Sequence, residues 1–398
     1  MLRYLAAQHE VVLVSFVRAD DRPEAIRHLQ AICAEVRAVP LRRSLWRNLR
    51  AGLKGLVTGR PIIIVRDEID QMGQTLDQLT RQADFDIIHA DQLSMAWYGR
   101  LAAKMAPTAA TLLDEHNAVY LLTRQLAEQV SNPVGRLIYN REARSMATYE
   151  AAMCRAFDAV LTVTQEDRGR LLALFPAEER ERVAAKFTVI PICVDPAPRA
   201  PSRPRTDSRP TILHLGTMFW PPNVAGVLWF AREVLPLIHR QLPEARLVIV
   251  GKSPPPEVQA LTADPRIEVT GYVADPTPYI AAADAFVVPL HVGEGMRVKI
   301  LDAWSWGLPV ISTPIGAEGI SLQEGKNILL AAEAGDFAAR VMQVLTDRAL
   351  NEALRSAGRA WVEANYSWQV VYQRVDQVYA QLLAHRKARL FDQTTPSP

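Results

Sequence analysis

The chain has 398 residues, 49% hydrophobic and 22% charged, with a formal net charge of +2. That length suits roughly two domains of an ordinary globular protein, and so even a charge balance excludes a nucleic-acid partner held by bulk charge. Cys33, Cys154 and Cys193 lie far apart without metal-ligand spacing and predict thiols in a reducing compartment; no apolar run approaches the ~18 residues of a membrane span and no signal peptide is visible, so the expectation is a cytoplasmic protein.

In chain order, residues 1–10 read as the end of a helix running into a strand at 11–16. A doubly wound domain ordinarily starts with a strand and a turn ahead of that helix, so the expected fold lacks its N-terminal strand, through truncation or a late start codon. From residue 36 to 65 no residue is acidic, while Arg37, Arg42, Arg43, Arg47, Arg50, Lys54 and Arg60 are basic. Leu45, Trp46, Leu49, Leu53 and Leu56 interleave with them at near-helical spacing. Two readings stay open: a basic amphipathic helix for anionic lipid head groups, or a solvated basic face whose leucines pack into the core.

Short runs rich in Val, Ile and Leu follow at 86–90, 110–114, 160–164 and 188–192, then at 212–215, 246–250, 267–270, 285–289, 308–312 and 328–330. Helical patterns separate them, which predicts parallel sheets covered on both faces. The run D-P-A-P-R-A-P-S-R-P-R-T-D-S-R-P at 195–210 has no apolar period and reads as a linker. The expected organisation is therefore an α/β chain of two Rossmann-like doubly wound domains, 1–198 and 211–367, joined by 199–210. A final helix, 368–390, is expected to pack back on the first domain, and the tail 391–398 to be disordered. Sites in such sheets lie beyond the carboxyl ends of the strands, so the cleft between the two sheets is the expected location.

Asp84-Phe85-Asp86 imitates a D-x-D metal motif, but it precedes a strand at its amino end and reads as a turn. Asp114-Glu115-His116-Asn117 follows a buried strand, which puts His116 at the mouth of the cleft, either as a site residue or as a core histidine bonded to backbone. Adjacent residues alternate faces on a strand, so D-E-H cannot easily share one ion, and no metal is expected.

The stretch 292–319, V-G-E-G-M-R-V-K-I-L-D-A-W-S-W-G-L-P-V-I-S-T-P-I-G-A-E-G, carries the most chemistry. A glycine-flexed turn holds Glu294, Gly295 and Met296. A helix opens with Arg297 and Lys299 in its first turn and Asp302 behind them, and stops at Gly307. A helix start offers free N–H groups and a positive dipole end, an anion site. The dipole disfavours cations there, so Arg297 and Lys299 imply an anionic partner such as a phosphate. Glu294 and Asp302 suit sugar hydroxyls; the bland alternatives are a loop carboxylate in water and a Lys299–Asp302 pair at i,i+3. Gly216, Thr217 and Asn223 form a strand-to-helix turn that contacts a phosphate or merely places Asn223 as an N-cap. Glu318, in G-A-E-G, meets sugar hydroxyls or closes a turn. The absence of G-x-S-x-G, of a P-loop and of G-x-G-x-x-G after a strand argues against hydrolase, phosphate-transfer and nicotinamide chemistry.

Several further segments carry a family likeness: His116-Asn117 after a strand, Tyr149-Glu150 before F-D-A-V-L-T-V-T, H-L-G-T-M-F-W-P-P-N from His214, L-V-I-V-G from Leu247, V-T-G-Y-V-A-D from Val269, A-D-A-F-V-V-P-L from Ala283, and Y-S-W at 366–368. With the E-x7-E pattern present as Glu294-x7-Asp302, the chain resembles the retaining glycosyltransferases of family 4, which have the two-domain GT-B fold. The resemblance implies retaining, metal-independent transfer of a hexosyl-type sugar from a nucleotide-diphosphate donor on the second domain to a carbohydrate or lipid-linked acceptor on the first. It assigns Asp302 to the ribose, Glu294 to the donor sugar, and His116 to the donor sugar and reaction centre. Many relatives grip the diphosphate with an Arg and a Lys after the first strand of the second domain. Thr217 and Pro222 stand at about those places here, so the charge must come from Arg297 and Lys299. Rival expectations are a sugar-nucleotide epimerase of the same fold and a non-catalytic sugar-nucleotide-binding protein. The basic stretch 36–65 adds a possible anionic membrane surface as partner, as in envelope polysaccharide assembly on the inner face of a membrane.

Overall fold

The structure is a computed structural model that describes residues 1–18, 21–42, 44–130, 132–196, 209–293 and 295–394. Glu294, residues 199–208 of the expected linker and residues 395–398 of the expected tail lie outside the described residues. The chain divides into two compact units: Met1–Ile190 with the segment from Tyr372 onward, and Pro191–Val371.

In the first unit, β1 (Val12–Val17) and β2 (Glu35–Pro40) form a two-stranded parallel sheet. β3 (Ile87–Asp91), β4 (Ala110–Glu115), β5 (Ala159–Thr162) and β6 (Phe187–Val189) form a second parallel sheet in that order. The register pairs Asp91 with Asp114 and Glu115 with Thr162. β4 lies between two neighbours and every one of its residues is buried. β1 pairs on one edge only among the described residues, and all six of its residues stay half-buried. Val14 and Phe16 of β1 still pack on Met72 and Tyr98, from the helices Asp70–Gln82 and Leu93–Met105. The final helix, Trp368–Thr394, adds to this unit from Tyr372 on; Tyr4 donates to Asp376, and Arg386 pairs with Asp86 at 2.7 Å.

β2 was not among the expected strands. Its sequence E-V-R-A-V-P alternates charge with small apolar groups and ends in proline, and only Val39 of it is fully buried. Such an edge strand has too little apolar content to announce itself. The basic stretch therefore splits into β2 and the helices Leu45–Thr58 and Ile62–Arg66. The leucines of Leu45–Thr58 do not reach the core: they are exposed.

The second unit is one parallel sheet of six strands: β7 (Thr211–Leu215), β8 (Arg246–Val250), β9 (Ile267–Gly271), β10 (Ala285–Val288), β11 (Val310–Ser312) and β12 (Leu329–Leu330), ordered β12-β11-β10-β7-β8-β9. Successive side chains of a strand go to opposite faces. Ile212 and Leu213 of β7 accordingly join separate apolar clusters, one with Ile249, Phe230 and Phe337, the other with Val248, Phe286 and Trp304. Both faces are covered by helices, which is why β8 and β10 read as apolar runs.

Candidate active site

The order of the six-stranded sheet reverses between β7 and β10: β8 and β9 lie to one side, β11 and β12 to the other. Turns leaving two strands at such a switch point diverge and open a crevice beyond their carboxyl ends, where doubly wound sheets bind ligands. Gly216 and Thr217 leave β7 there, and the 292–299 segment leads away from β10.

The β7 turn is pinned by backbone. Gly216 N donates to Val250 O at 3.0 Å and Met218 N to Lys252 O at 2.9 Å. The helix that follows, Pro221–Trp229, opens on two prolines, whose missing N–H groups need no cap. Trp220 is its N-cap, and Asn223 sits buried inside the first turn, which corrects the N-cap reading of Asn223. Its side chain bridges instead: Nδ2 donates to Thr217 O at 2.8 Å, and Oδ1 accepts from Lys299 Nζ at 2.8 Å. A Cβ at residue 216 would stand 2.8 Å from that Nζ, so the glycine leaves room for the ammonium against the turn.

Lys299 comes from the helix Val298–Ser305. Ahead of it Gly293 and Gly295 have φ of 132° and 79°, conformations closed to most side chains. The glycine-flexed turn is therefore present. Arg297 is the N-cap and not part of the first turn as expected, and its Nη1 donates to Gly295 O at 3.1 Å. Its guanidinium thus folds back over the glycine turn. Burial, with the charge of Arg297, brings the Lys299 ammonium down to about 8. No carboxylate forms an ion pair with Lys299 among the described residues. A cation held half-buried beside a second cation gains most from an incoming anion.

The alternative pair of Lys299 with Asp302 does not form, because Lys299 turns to Asn223. Asp302 lies half-buried, and burial lifts its carboxyl to about 6. Behind the cluster, His214 of β7 is fully buried with Nδ1 2.9 Å from Val287 O. Burial and the charge of Lys299 hold its ring down to about 3, so it is neutral. Met296 packs partly against the Phe286 and Trp304 cluster, and the buried Trp304 indole donates to Asn327 O at 2.8 Å, fixing the helix from below. Gly307, at φ 72°, ends it in the left-handed conformation. Glu318 follows the short turn Ile315–Ala317 beyond β11, on the same carboxyl edge and partly exposed.

In the first unit, His116 lies just past β4. Its Nε2 is 2.9 Å from Asp91 Oδ1 and 3.8 Å from Asp114 Oδ2. The hydrogen bond to Asp91 raises the imidazole above its ordinary range and lowers the Asp91 carboxyl. Asp91 ends β3, and Gln92 after it has φ 71°, a strained value for a side chain of that kind. His89, two residues earlier and so on the same face, lies 3.8 Å from Asp114 and places Nδ1 2.9 Å from the Tyr379 hydroxyl. The loop holding His116 is tied down by Glu150, which accepts from Val119 N at 2.6 Å and Tyr120 N at 2.9 Å. That is the physical role of the Tyr149-Glu150 segment: a carboxylate capping the helix Val119–Gln129. Burial raises Glu150 to about 7.

Asp91, Asp114 and His116 bring ligand atoms within 4.8 Å of one another, a set that could take a metal ion. Strand alternation does send Glu115 to the opposite face, where burial raises its carboxyl well above the ordinary range. Asp91 completes the set from the neighbouring strand, where alternation along β4 alone does not reach. Sequence reasoning missed Asp91, His89 and Tyr379; the signal available was I-I-H-A-D, with polar groups at alternate positions at a strand's carboxyl end. Asp86 stands at the amino end of β3, held by Arg386, in keeping with a turn. Two cavities, about 780 Å³ beside Arg50 and Trp97 in the first unit and about 290 Å³ beside His239 and Arg266 in the second, contain none of the expected site residues.

Comparison with known proteins adds to this geometry. Residues 209–347 match a family model described as glycosyl transferases group 1, and residues 1–186 one described as a glycosyl transferase 4-like domain. The chain is 32% identical over 232 residues to a GDP-mannose-dependent alpha-(1-6)-phosphatidylinositol monomannoside mannosyltransferase of Mycobacterium tuberculosis, over 54% of this chain and 59% of that protein. It is 25% identical over 296 residues, 70% of each chain, to the UDP-Gal:alpha-D-GlcNAc-diphosphoundecaprenol alpha-1,3-galactosyltransferase of Escherichia coli. Among solved structures, Anabaena HepE in complex with UDP and glucose is similar with a TM-score of 0.64 at 14% identity, covering 96% of this chain and 94% of that one. The chain spans about half the length of the first curated relatives it matches.

Proposed function

The chain belongs to the group 1 glycosyltransferases of family 4, with the GT-B fold, and from that premise we propose that it transfers a hexosyl-type sugar from a nucleotide-diphosphate donor to a carbohydrate or lipid-linked acceptor in cell-envelope polysaccharide assembly, with retention and without a metal. One observation carries the reading: Lys299, which no acid among the described residues pairs, laid on the Gly216 turn beside Arg297 at the sheet's switch point. A diphosphate at the start of Val298–Ser305, near Gly295 and Met296, would meet both cations and the helix dipole. Cations placed where a leaving diphosphate gains charge stabilise the transition state, often the largest catalytic contribution. They supply here the charge that a metal provides elsewhere. Thr217 and Asn223 border the same phosphate. Asp302, whose carboxylate burial penalises, is relieved by accepting from ribose hydroxyls. Glu294 and Glu318 are assigned to the donor sugar by motif and position.

His116 is assigned to the donor sugar and reaction centre. Its bond to Asp91 favours the protonated ring, which can donate to a sugar hydroxyl. As the anomeric bond opens toward an oxocarbenium-like state, the departing phosphate is assigned the acceptor proton. The mycobacterial and E. coli relatives are named for phosphatidylinositol and diphosphoundecaprenol acceptors, which supports a lipid-linked acceptor. Among the described residues no helix is long and apolar enough to cross a membrane. A peripheral place on the inner face, through residues 36–65, follows from the basic stretch.

The test is a thermal-shift screen of nucleotide sugars and nucleoside diphosphates, since a ligand of the folded state raises its melting point. A donor found this way is then given an acceptor, and the anomeric configuration of the product is read by NMR, with and without EDTA. Retention unaffected by EDTA is expected. An inverted product, or loss of turnover in EDTA, overturns those two assignments. Epimerised donor without acceptor would make the protein an epimerase, and binding without turnover a sugar-nucleotide-binding protein. No stabilisation by any nucleotide removes the proposal.

A further inference from the structure

The helix Leu45–Thr58 faces the wrong way for a core helix. At about 100° per residue its side chains sort into three stripes. Ala51 and Gly55 are buried against the unit, and a Cβ at Gly55 would come within 3.1 Å of Arg60 O. Leu45, Trp46, Leu49, Leu53, Leu56 and Val57 fall within an arc of about 120° on another side, and they are 62–86% exposed. Arg47, Arg50 and Lys54 run between the two. Small residues make the contact and large apolar ones face outward, the reverse of a core-facing helix.

A second helix extends the patch. Val134, Leu137 and Ile138, in the first turns of Pro133–Ala156, are 52–72% exposed. One turn further, Arg141 donates to Gly55 O and to Arg60 O, and Glu142 accepts from Ile62 N and Ile63 N. Those bonds tie the end of Leu45–Thr58 to Pro133–Ala156 and bring the two apolar stripes close to one another. An apolar surface of this extent marks an interaction site.

Charge decides the occupant. Exposed Arg42, Arg50, Arg136 and Arg144 lie on or beside these helices, and residues 36–65 hold no acid. Arg50 forms no ion pair among the described residues. A second copy of the chain would set one basic rim against another, which like charge opposes. An anionic bilayer answers both features: apolar side chains enter the acyl boundary, with Trp46 at the interface, while arginines stay level with the phosphates. We propose that the exposed faces of Leu45–Thr58 and Pro133–Ala156 together form a docking surface for anionic lipid. This deepens the acceptor reading above and rests on it only for the biological setting, because lipid binding is read without donor or turnover; its failure leaves the transferase assignment standing.

The test is co-sedimentation of the full chain with vesicles of phosphatidylcholine alone or mixed with phosphatidylglycerol, at low and high salt. Binding to the anionic vesicles, weakening with salt, is expected. The triple variant Trp46→Ser, Leu49→Gln, Leu53→Gln should bind at least tenfold more weakly with an unchanged melting point, since all three residues are exposed. Leu137→Gln with Ile138→Ser should also weaken binding, and Arg50→Glu should remove much of the preference for anionic lipid. Equal binding by the triple variant, or none by the wild type at low salt, overturns the proposal. Unchanged binding by the Leu137 and Ile138 variant overturns the two-helix surface. Dimers in gel filtration that the triple variant abolishes, with vesicles bound by neither protein, would make the stripe a self-association face and also overturn it.

Discussion

Two helices of this protein combine apolar side chains with cations and do opposite things with them. In Val298–Ser305 the apolar side chains Ile300, Leu301 and Trp304 form the core, and the cation Lys299 is half-buried on a neighbouring turn. In Leu45–Thr58 the apolar side chains face outward and Arg50 is exposed beside them, while Lys54 pairs with Glu68 at 2.9 Å and Arg47 donates to Arg42 O at 2.7 Å. A buried cation costs free energy until a compact anion neutralises it, so the first helix is suited to a small, highly charged ligand. Exposed cations are screened and individually weak, so the second can bind only by spreading contact over an extended surface. Environment, not composition, separates a point site from a docking face.

The largest expected effect tests the point site. Lys299→Ala should lower turnover of an identified donor about 10²–10³-fold, the scale of losing one electrostatic contact to developing charge; a rate within threefold of wild type would put the phosphate elsewhere. Next in size, the Trp46, Leu49 and Leu53 triple variant should lose vesicle binding tenfold while nucleotide-induced stabilisation persists. Loss of both together would erase the distinction drawn between the helices.

A smaller effect follows from pH. Lys299, at about 8, is charged below that value and neutral above it, so nucleoside-diphosphate affinity, measured by calorimetry, should fall several-fold between pH 7 and 9. Lipid binding should change little over the same range, because arginines stay charged.

Smaller still is a change in stability. Asp302, at about 6, is protonated more readily folded than unfolded, so its penalty appears as pH rises from about 4 and is complete above about 6. Asp302→Asn should therefore raise the melting point at pH 7.5 by about 2–4 °C, the equivalent of about 1 kcal/mol in a domain of this size. The gain should shrink toward pH 4, and nucleotide-induced stabilisation should be lost. The smallest shift is at His116: in Asp91→Asn its ring should titrate closer to the ordinary histidine value, followed by proton NMR. The Asp91 bond raises the folded histidine, so its contribution to stability is present below the unfolded value and lost as pH rises through the folded one.

Much of this was legible in the sequence. The apolar runs of β8 and β10 announced a doubly covered parallel sheet, because strands buried on both faces take apolar groups at successive positions. The glycines at 293 and 295 and the stop at Gly307 were equally readable, since backbone conformation at those points excludes most side chains. β2 escaped notice because an edge strand buries little. Asp91 was missed because its relation to His116 runs across strands, through a register that no local pattern carries. Asn223 was assigned to the wrong position in its helix because two prolines, and not its own side chain, set where that helix begins.

The sequence by itself determined the order of strands and helices, the family and the bend ahead of Val298–Ser305. Those depend on local backbone preference and on periodicity, which neighbours along the chain encode. Only the tertiary structure decided which way the leucines of Leu45–Thr58 point, that Lys299 meets Asn223 rather than Asp302, and that Asp91 holds His116. Each of these depends on what stands opposite a side chain across space, and burial and charge there are set by residues tens of positions away.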